Sequence, residues 1–407
     1  MNTGWKPVPR DFEEVVIYND PTIRARVGHD YRRRSAMSDR CYNFSAGPAA
    51  LPESVLKQAQ TDLWNFDGSG MGVCELSHRG KEYDRILNEA IDDCREVGNI
   101  PDDWQILFMQ GGATMQFACM PANFSGEGKT TDYIDTGEWA RKAMEEARRF
   151  PGTVNCAAST QDEKYARLPK DDELNTTEGA AYLQYCSNNT IMGTEFKRVP
   201  KAAAGVPIIR DASSDMYSRP IDWSELDMIY ASAQKNLGPS GCALVCIKDS
   251  FLEKSNDEHL ATMMSYKIMA KKQSRPNTPN TFAVYLMGQV FKWIKAEGGL
   301  GAMEKYNERK IAPLYDFLEN SEFFKPHAVT EDRSIMNASF HSPSAELDKA
   351  FVDQASATGL KTLKGHRSIG GMRASVYNAF PEAGITALID FMKTFEMENA
   401  GKTTVSA

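Results

Sequence analysis

Three stretches of this 407-residue sequence carry groups whose types and order suit one chemistry. Ile208-Ile209-Arg210-Asp211 reads as a strand with a carboxylate at its carboxyl end, the edge at which α/β sheets hold ligands. Tyr230 to Gly241 (YASAQKNLGPSG) sets Lys235 just beyond another strand. Gln110-Gly111-Gly112-Ala113-Thr114 joins an apolar strand to a helix, and its paired glycines let an anion approach the free N–H groups there. Taken singly, each reads more readily as a solvated loop charge or a plain turn. Taken together they suit pyridoxal phosphate. A lysine amine condenses with its aldehyde, a carboxylate keeps its ring nitrogen protonated so that the ring withdraws electrons, and an anion cradle takes its phosphate. Trp139, opening a helix after a strand, is either core or a flat surface for that ring.

These residues need a sheet to hold them. From about residue 52 to 250, strand-like and helix-like segments alternate, which predicts an α/β fold with a mostly parallel central sheet. Strands are expected at Gln105–Met109, Asp132–Asp135, Ala180–Cys186, Val206–Ile209, Leu226–Ala231 and Cys242–Ile247, with helices at Ser54–Phe66 and Glu138–Phe150. Gly68-Ser69-Gly70-Met71-Gly72 lacks a preceding strand and reads as loop. Toward the C-terminus the pattern changes. Helices around Thr281–Ala296 and Leu300–Glu319, then short strands near Ser334–Phe340 and Met372–Tyr377, predict a smaller α+β domain. The expected division is residues 53–300 as a large cofactor-binding domain, 37–52 with 301–401 as the small domain, and 402–407 as a tail. Residues 1–36 read as a disordered extension, because their arginines and acids mix without an amphipathic period and no apolar signal core is present.

Four motifs add a resemblance. Asn43–Ala49 (NFSAGPA), Leu76–Glu82 (LSHRGKE), Ser232–Asn236 (SAQKN) and Leu363–Ser375 (LKGHRSIGGMRAS) occur in that order. Over residues 42–398 the chain resembles the phosphoserine aminotransferases, class-V, fold-type I transferases that depend on pyridoxal phosphate. The resemblance implies that Lys235 forms the Schiff base, Asp211 pairs with the pyridinium nitrogen and Trp139 stacks on the ring. It implies that Ala113, Thr114 and Gln234 bind the phosphate and that Thr190 lies beside the phenolic oxygen. Asn277 and Thr278 match a pair that reaches the phosphate from the neighbouring subunit, which implies a homodimer with shared active sites. Arg373 is matched to the substrate α-carboxylate, and His78 with Arg79 to the distal anion, assisted by the partner subunit's His366 and the partner subunit's Arg367. Some family members carry a third glycine and a basic residue where this chain has Ala113 and Thr114, so its turn adds no cation. The implied reaction is ping-pong amino transfer between phosphoserine or its keto acid and 2-oxoglutarate or glutamate, in L-serine biosynthesis. A related substrate of the pyridoxine pathway, 4-phosphohydroxythreonine, stays open.

Composition bounds the remaining readings. Forty-seven Lys plus Arg against 55 Asp plus Glu leave a net charge of −8, so no global cationic field gathers nucleic acid or an anionic bilayer. No apolar run approaches the roughly 18 residues of a spanning helix. The eight cysteines are scattered without a C-x-x-C pair, which predicts free thiols, no metal and a reducing, cytoplasmic setting. Cys242 and Cys246 are expected on one face of a buried strand. Two other classes stay open: an aminotransferase or desulfurase of the same fold acting on another substrate, and a non-catalytic protein that keeps the fold.

Overall fold

The strands that lead to Asp211, Lys235 and the glycine turn assemble into a single sheet. In the computed structural model, which describes residues 40–400, that sheet has seven strands. They are β1 (Trp104–Gln110), β2 (Thr130–Asp135), β3 (Thr153–Ser159), β4 (Leu183–Cys186), β5 (Ile208–Asp211), β6 (Met228–Ser232) and β7 (Cys242–Lys248). Their spatial order is β1-β7-β6-β5-β4-β2-β3. From β3 to β6 every pairing is parallel, while β7 runs antiparallel to both β6 and β1. The carboxyl ends of β1, β2, β4, β5 and β6 therefore share one edge, and the segments that follow them share one side of the molecule.

Burial explains which strands were legible. The residues of β6, and of β7 up to Ile247, are buried, as strands covered on both faces must be. Cys242, Leu244 and Cys246 pack on one side of the sheet while Val245 and Ile247 pack on the other, so the two cysteines do share a face. β3 was not expected. It is the edge strand, half exposed along Thr153–Ser159, and shows neither an apolar run nor clean alternation. β5 starts at Ile208 rather than Val206 because Pro207 has no N–H for the ladder and offers only its carbonyl, to Leu183 N at 2.8 Å.

Helices cover both faces. α1 (Glu53–Asp62) is shorter than expected, and the chain turns away at Leu63 toward Asp67, whose φ of 48° is left-handed. α2 (Lys81–Gly98) buries Tyr83, Ile86, Leu87, Ala90, Cys94 and Val97, a stripe at helical spacing. α3 (Gly112–Phe124) and α4 (Glu138–Ala147) lie on the other face; α5 (Thr281–Ala296) joins α2 and is capped by Asn280, whose Oδ1 accepts from Ala283 N at 3.1 Å.

A second core forms from α6 (Gly299–Asn320), β8 (Lys325–Pro326), β9 (Asn337–His341), α7 (Ala345–Ala357), β10 (Met372–Ser375) and α8 (Glu382–Asn399). β8, β9 and β10 make an antiparallel sheet. Phe324, Phe340, Phe351 and Phe395 pack ring against ring within it. Phe44 belongs to this core too, because Tyr42–Asn43 pairs in parallel with Leu360–Lys361. No helix among the described residues is long and apolar enough to cross a membrane. The expected extension at 1–36 and tail at 402–407 lie outside the described residues.

Candidate active site

Lys235 and Asp211 meet because β5 and β6 are parallel neighbours. Asp211 closes β5 opposite Tyr230, and Lys235 follows the end of β6 in a turn held by Ala233 N to Cys242 O at 2.9 Å and Gly238 N to Ala233 O at 2.7 Å. Lys235 Nζ donates to Thr190 Oγ1 at 2.7 Å and lies 5.8 Å from the centre of the Trp139 ring. Burial pushes the lysine pKa down, and Asp211 pulls it back up. Burial raises the Asp211 pKa, against its hydrogen bonds with Ser213, whose N–H donates at 2.9 Å, and the charge of Lys235. The carboxylate thus sits in a site that favours a cationic partner, and among the described residues none forms an ion pair with it.

The indole is set by two buried clamps. At the end of β2 the Asp135 carboxylate accepts from Gly137 N at 3.0 Å, Ser159 Oγ at 2.9 Å and the Tyr165 hydroxyl at 2.9 Å, which fixes the turn that launches α4 and Trp139. Asn189 Nδ2 donates to Thr136 O in that turn, while its Oδ1 accepts from Ile191 N at 2.9 Å and Met192 N at 3.1 Å. The loop bearing Thr190 is thereby fastened to the turn bearing Trp139. Lys142, one turn along α4, lies 4.9 Å from the same indole.

The glycine turn after β1 has the left-handed backbone its residues allow, with φ of 93° at Gly111 and 67° at Gly112. Ala113 N, at the start of α3, donates to Ser232 Oγ at 2.7 Å, and Thr114 is exposed. Gln234 Oε1 and Trp139 Nε1 are buried without partners.

Arg373, on β10, donates from its guanidinium to Thr190 O at 3.3 Å, so Thr190 touches both Lys235 and Arg373. Burial lowers the Arg373 pKa. In the loop before β10, Ile369 packs against Tyr165, Ile191 and Met192, and His366 Nδ1 meets Ser368 Oγ at 2.8 Å. Burial, then the charge of Arg373, holds His366 below its usual range. Arg367 is exposed.

The other expected residues form a separate group. His78 and Arg79 lie in the turn before α2, with Arg79 exposed. Arg275 donates to His78 O at 3.4 Å and pairs with Asp84, which ties this turn to the segment Arg275–Thr278. Gln110 Nε2 donates to Asn277 Oδ1 at 3.2 Å and Thr278 O at 3.3 Å, so the group abuts the end of β1 beside the glycine turn.

Three contributors escaped sequence reasoning. Gly47, with φ of 135°, lies so close to Lys235 that a Cβ there would stand 3.3 Å from Lys235 Cγ; the Asn43–Ala49 motif was the available signal. Asp135 and Asn189 serve backbone groups of turns, and nothing in residue type or spacing announces that.

The donor set fits pyridoxal phosphate. Among the described residues a buried acid has no ion-pair partner, an indole N–H and an amide oxygen are orphaned, a lysine has a depressed pKa, and a left-handed glycine turn opens α3 through a bond to Ser232 at the end of β6.

The family description Aminotransferase class-V matches residues 41–388. A phosphoserine aminotransferase of Desulfosudis oleivorans is 47% identical over 364 residues, covering 89% of this chain and 100% of that one. Among solved structures, a phosphoserine aminotransferase from Bacillus circulans subsp. alkalophilus is 42% identical, with a TM-score of 0.86 over 89% of this chain and 100% of that chain. One from Trichomonas vaginalis with pyridoxal phosphate bound is 40% identical, with a TM-score of 0.83 over 87% of this chain and 100% of the other.

Proposed function

From the premise that this chain belongs to the phosphoserine aminotransferases of the class-V aminotransferase family, we propose that Lys235, Asp211 and Arg373 carry its pyridoxal-phosphate-dependent amino transfer between phosphoserine and 2-oxoglutarate. The observation that carries this assignment is the shared contact on Thr190: its hydroxyl accepts from the Lys235 amine and its carbonyl from the Arg373 guanidinium. An α-amino acid bears its amine and carboxylate on one carbon, so the lysine that gives up its place to that amine and the arginine that receives the carboxylate must be neighbours.

When bound, pyridoxal phosphate supplies an electron-poor ring that accepts the pair left as the substrate Cα–H bond breaks. Every other part falls to the protein. Lys235 Nζ would hold the cofactor and, as a free amine, would carry the proton from the substrate Cα to the carbon of the cofactor that had been its aldehyde; its lowered pKa keeps the amine available as a base. The buried Asp211 carboxylate holds the proton on the ring nitrogen. Trp139, beside the Lys235 amine, would offer its indole face to the ring and shield it from water, and the Thr190 hydroxyl would be the group available to the phenolic oxygen. The turn at Ala113 and Thr114, with Gln234, would take the phosphate, the Ala113 N–H passing to it from Ser232 Oγ. Arg373 grips the α-carboxylate common to phosphoserine and glutamate. The distal phosphate or carboxylate falls to His78 and Arg79 with the partner subunit's His366 and the partner subunit's Arg367, in a homodimer whose Asn277 and Thr278 reach the neighbouring phosphate.

The second core, Phe44 with Ile311 to Phe395, supports reading residues 301–401 and 37–52 as a small domain beside the larger one. Free thiols at all eight cysteines accord with a cytoplasmic enzyme.

A spectrum of the purified holoenzyme tests the reading. Phosphoserine is expected to bleach the visible band and 2-oxoglutarate to restore it. Bleaching by alanine, or sulfur release from cysteine, without a response to phosphoserine would overturn it.

A further inference from the structure

Lys310 is a buried titratable group that the amino transfer leaves unused. It stands on α6 with only 1% of its surface exposed. Its head donates to Asn307 Oδ1 at 2.9 Å and Tyr377 O at 2.7 Å and lies 4.6 Å from the centre of the Tyr306 ring. No described residue forms an ion pair with it; the carboxylate it feels, Glu382, is paired with Arg309 at 2.7 Å. Burial pushes its pKa well below the ordinary lysine range. An unpaired lysine is an unfavourable filling for a core, where methionine would occupy similar volume without the desolvation penalty. Its hydrogen bonds show what the lysine supplies instead.

From Asn307 the bonds run toward Lys235. Asn307 Nδ2 donates to Ser218 O at 3.0 Å and to Asn378 Oδ1 at 2.8 Å. Asn378 Nδ2 donates to Tyr217 O at 2.8 Å, and its backbone N–H donates to Asn236 Oδ1 at 2.9 Å. Asn236 Nδ2 then donates to Met216 O at 3.0 Å. All three asparagines are buried. An ammonium or amine head bonded to two acceptors acts only as a donor, so Lys310 favours the Asn307 amide orientation in which Oδ1 accepts and Nδ2 meets Asn378; from there the link to Asn236 is positional, through the Asn378 backbone N–H. The last member, Asn236, is the residue after Lys235.

From Tyr377 the bonds run toward Arg373. The Tyr377 hydroxyl donates to Ala46 O at 2.9 Å and accepts from Asn337 Nδ2 at 3.4 Å, and Asn337 Nδ2 also donates to Ser375 Oγ at 2.9 Å on β10. Lys310 therefore stands where the turn that carries the amine and the strand that carries the guanidinium come together.

We propose that Lys310 is a positioning residue for the amino transfer: its donor head aligns the Asn307–Asn378–Asn236 series and the Tyr377 carbonyl together, and so fixes the spacing between Lys235 Nζ and the Arg373 guanidinium. The proposal rests on the assignment of those two residues above. Because that spacing reads the amine and carboxylate of a single carbon, its loss is felt alike by every substrate of the enzyme, whatever the side chain.

Two variants of the holoenzyme test it. Lys310→Met keeps the length and removes the donors. Asn307→Asp keeps the size and gives Lys310 an ionic partner, yet cannot donate to Ser218 O or Asn378 Oδ1. Each is expected to raise KM for phosphoserine and glutamate together by about three- to tenfold, the equivalent of one buried hydrogen bond, with their ratio unchanged. Each is also expected to displace the pH at which the visible band of the lysine-bound cofactor titrates, and the double variant to be less impaired than the two singles combined. Folded Asn307→Asp enzyme with wild-type KM values and a wild-type band titration overturns the proposal, and so do additive effects. Should Lys310→Met fail to fold, Asn307→Asp decides alone. Loss of the band in Lys235→Ala, with both relay variants unaffected, overturns the positioning role and leaves the site assignment standing.

Discussion

At the scale of single residues, environment separates the groups that act from those that merely carry charge. Lys235 and Asp211 each pay a burial penalty that a neutral residue would avoid, and each is positioned to recover it against a ligand. Lys235→Ala is expected to abolish turnover and the visible band together, which absorption and a coupled assay will show. Arg373→Ala is expected to weaken both amino donors by about 2 to 5 kcal/mol, the loss of a buried charged contact, read as parallel rises in KM. Since burial lowers the Lys235 pKa, its reactive, uncharged form is present at lower pH than for an exposed lysine. The rate at which apoenzyme captures pyridoxal phosphate, followed by stopped-flow absorbance, should thus rise with pH and level off below the ordinary value of 10.5. That Lys235 and Asp211 come together could be expected from sequence, because one closes a strand and the other follows the next. The parts played by Asp135 and Asn189 could not, because their partners are backbone groups of turns distant in sequence.

At the scale of elements, the site is made by loops that the sheet brings to one edge and that asparagine and aspartate side chains then lock. Asn189→Ala leaves Thr136 O, Ile191 N and Met192 N without their partner, and each such buried group costs about 1–3 kcal/mol. The variant is expected to melt lower and to regain less on adding pyridoxal phosphate, which calorimetry with and without cofactor will measure. Gly371→Ala is expected to displace the His366 loop, since φ there is 63° and a Cβ would stand 2.5 Å from His341 Nδ1. Strands buried on both faces announce themselves as apolar runs, which is why β6 and β7 were readable. The edge strand β3 faces solvent along half its length and was invisible to the same reasoning.

At the scale of the whole molecule, two cores divide the work: one surrounds the sheet that holds Lys235 and Asp211, the other supports the strand that holds Arg373. Phe351 is buried among Phe324, Phe340, Phe391 and Phe395, and Phe351→Ala is expected to destabilise the protein by about 3–5 kcal/mol in denaturant titrations. Alternation of strands and helices made the first core foreseeable, whereas the return of Tyr42–Asn43 to Leu360–Lys361 has no local signature, being a pairing between opposite ends of the chain. That pairing dictates a timetable. The stretch around Gly47, which walls in the side chain of Lys235, leaves the ribosome early but cannot settle until the segment at Leu360 has followed it out. A nascent chain stalled before that point would leave the Lys235 side chain without this wall, so the chamber closes only near the end of synthesis.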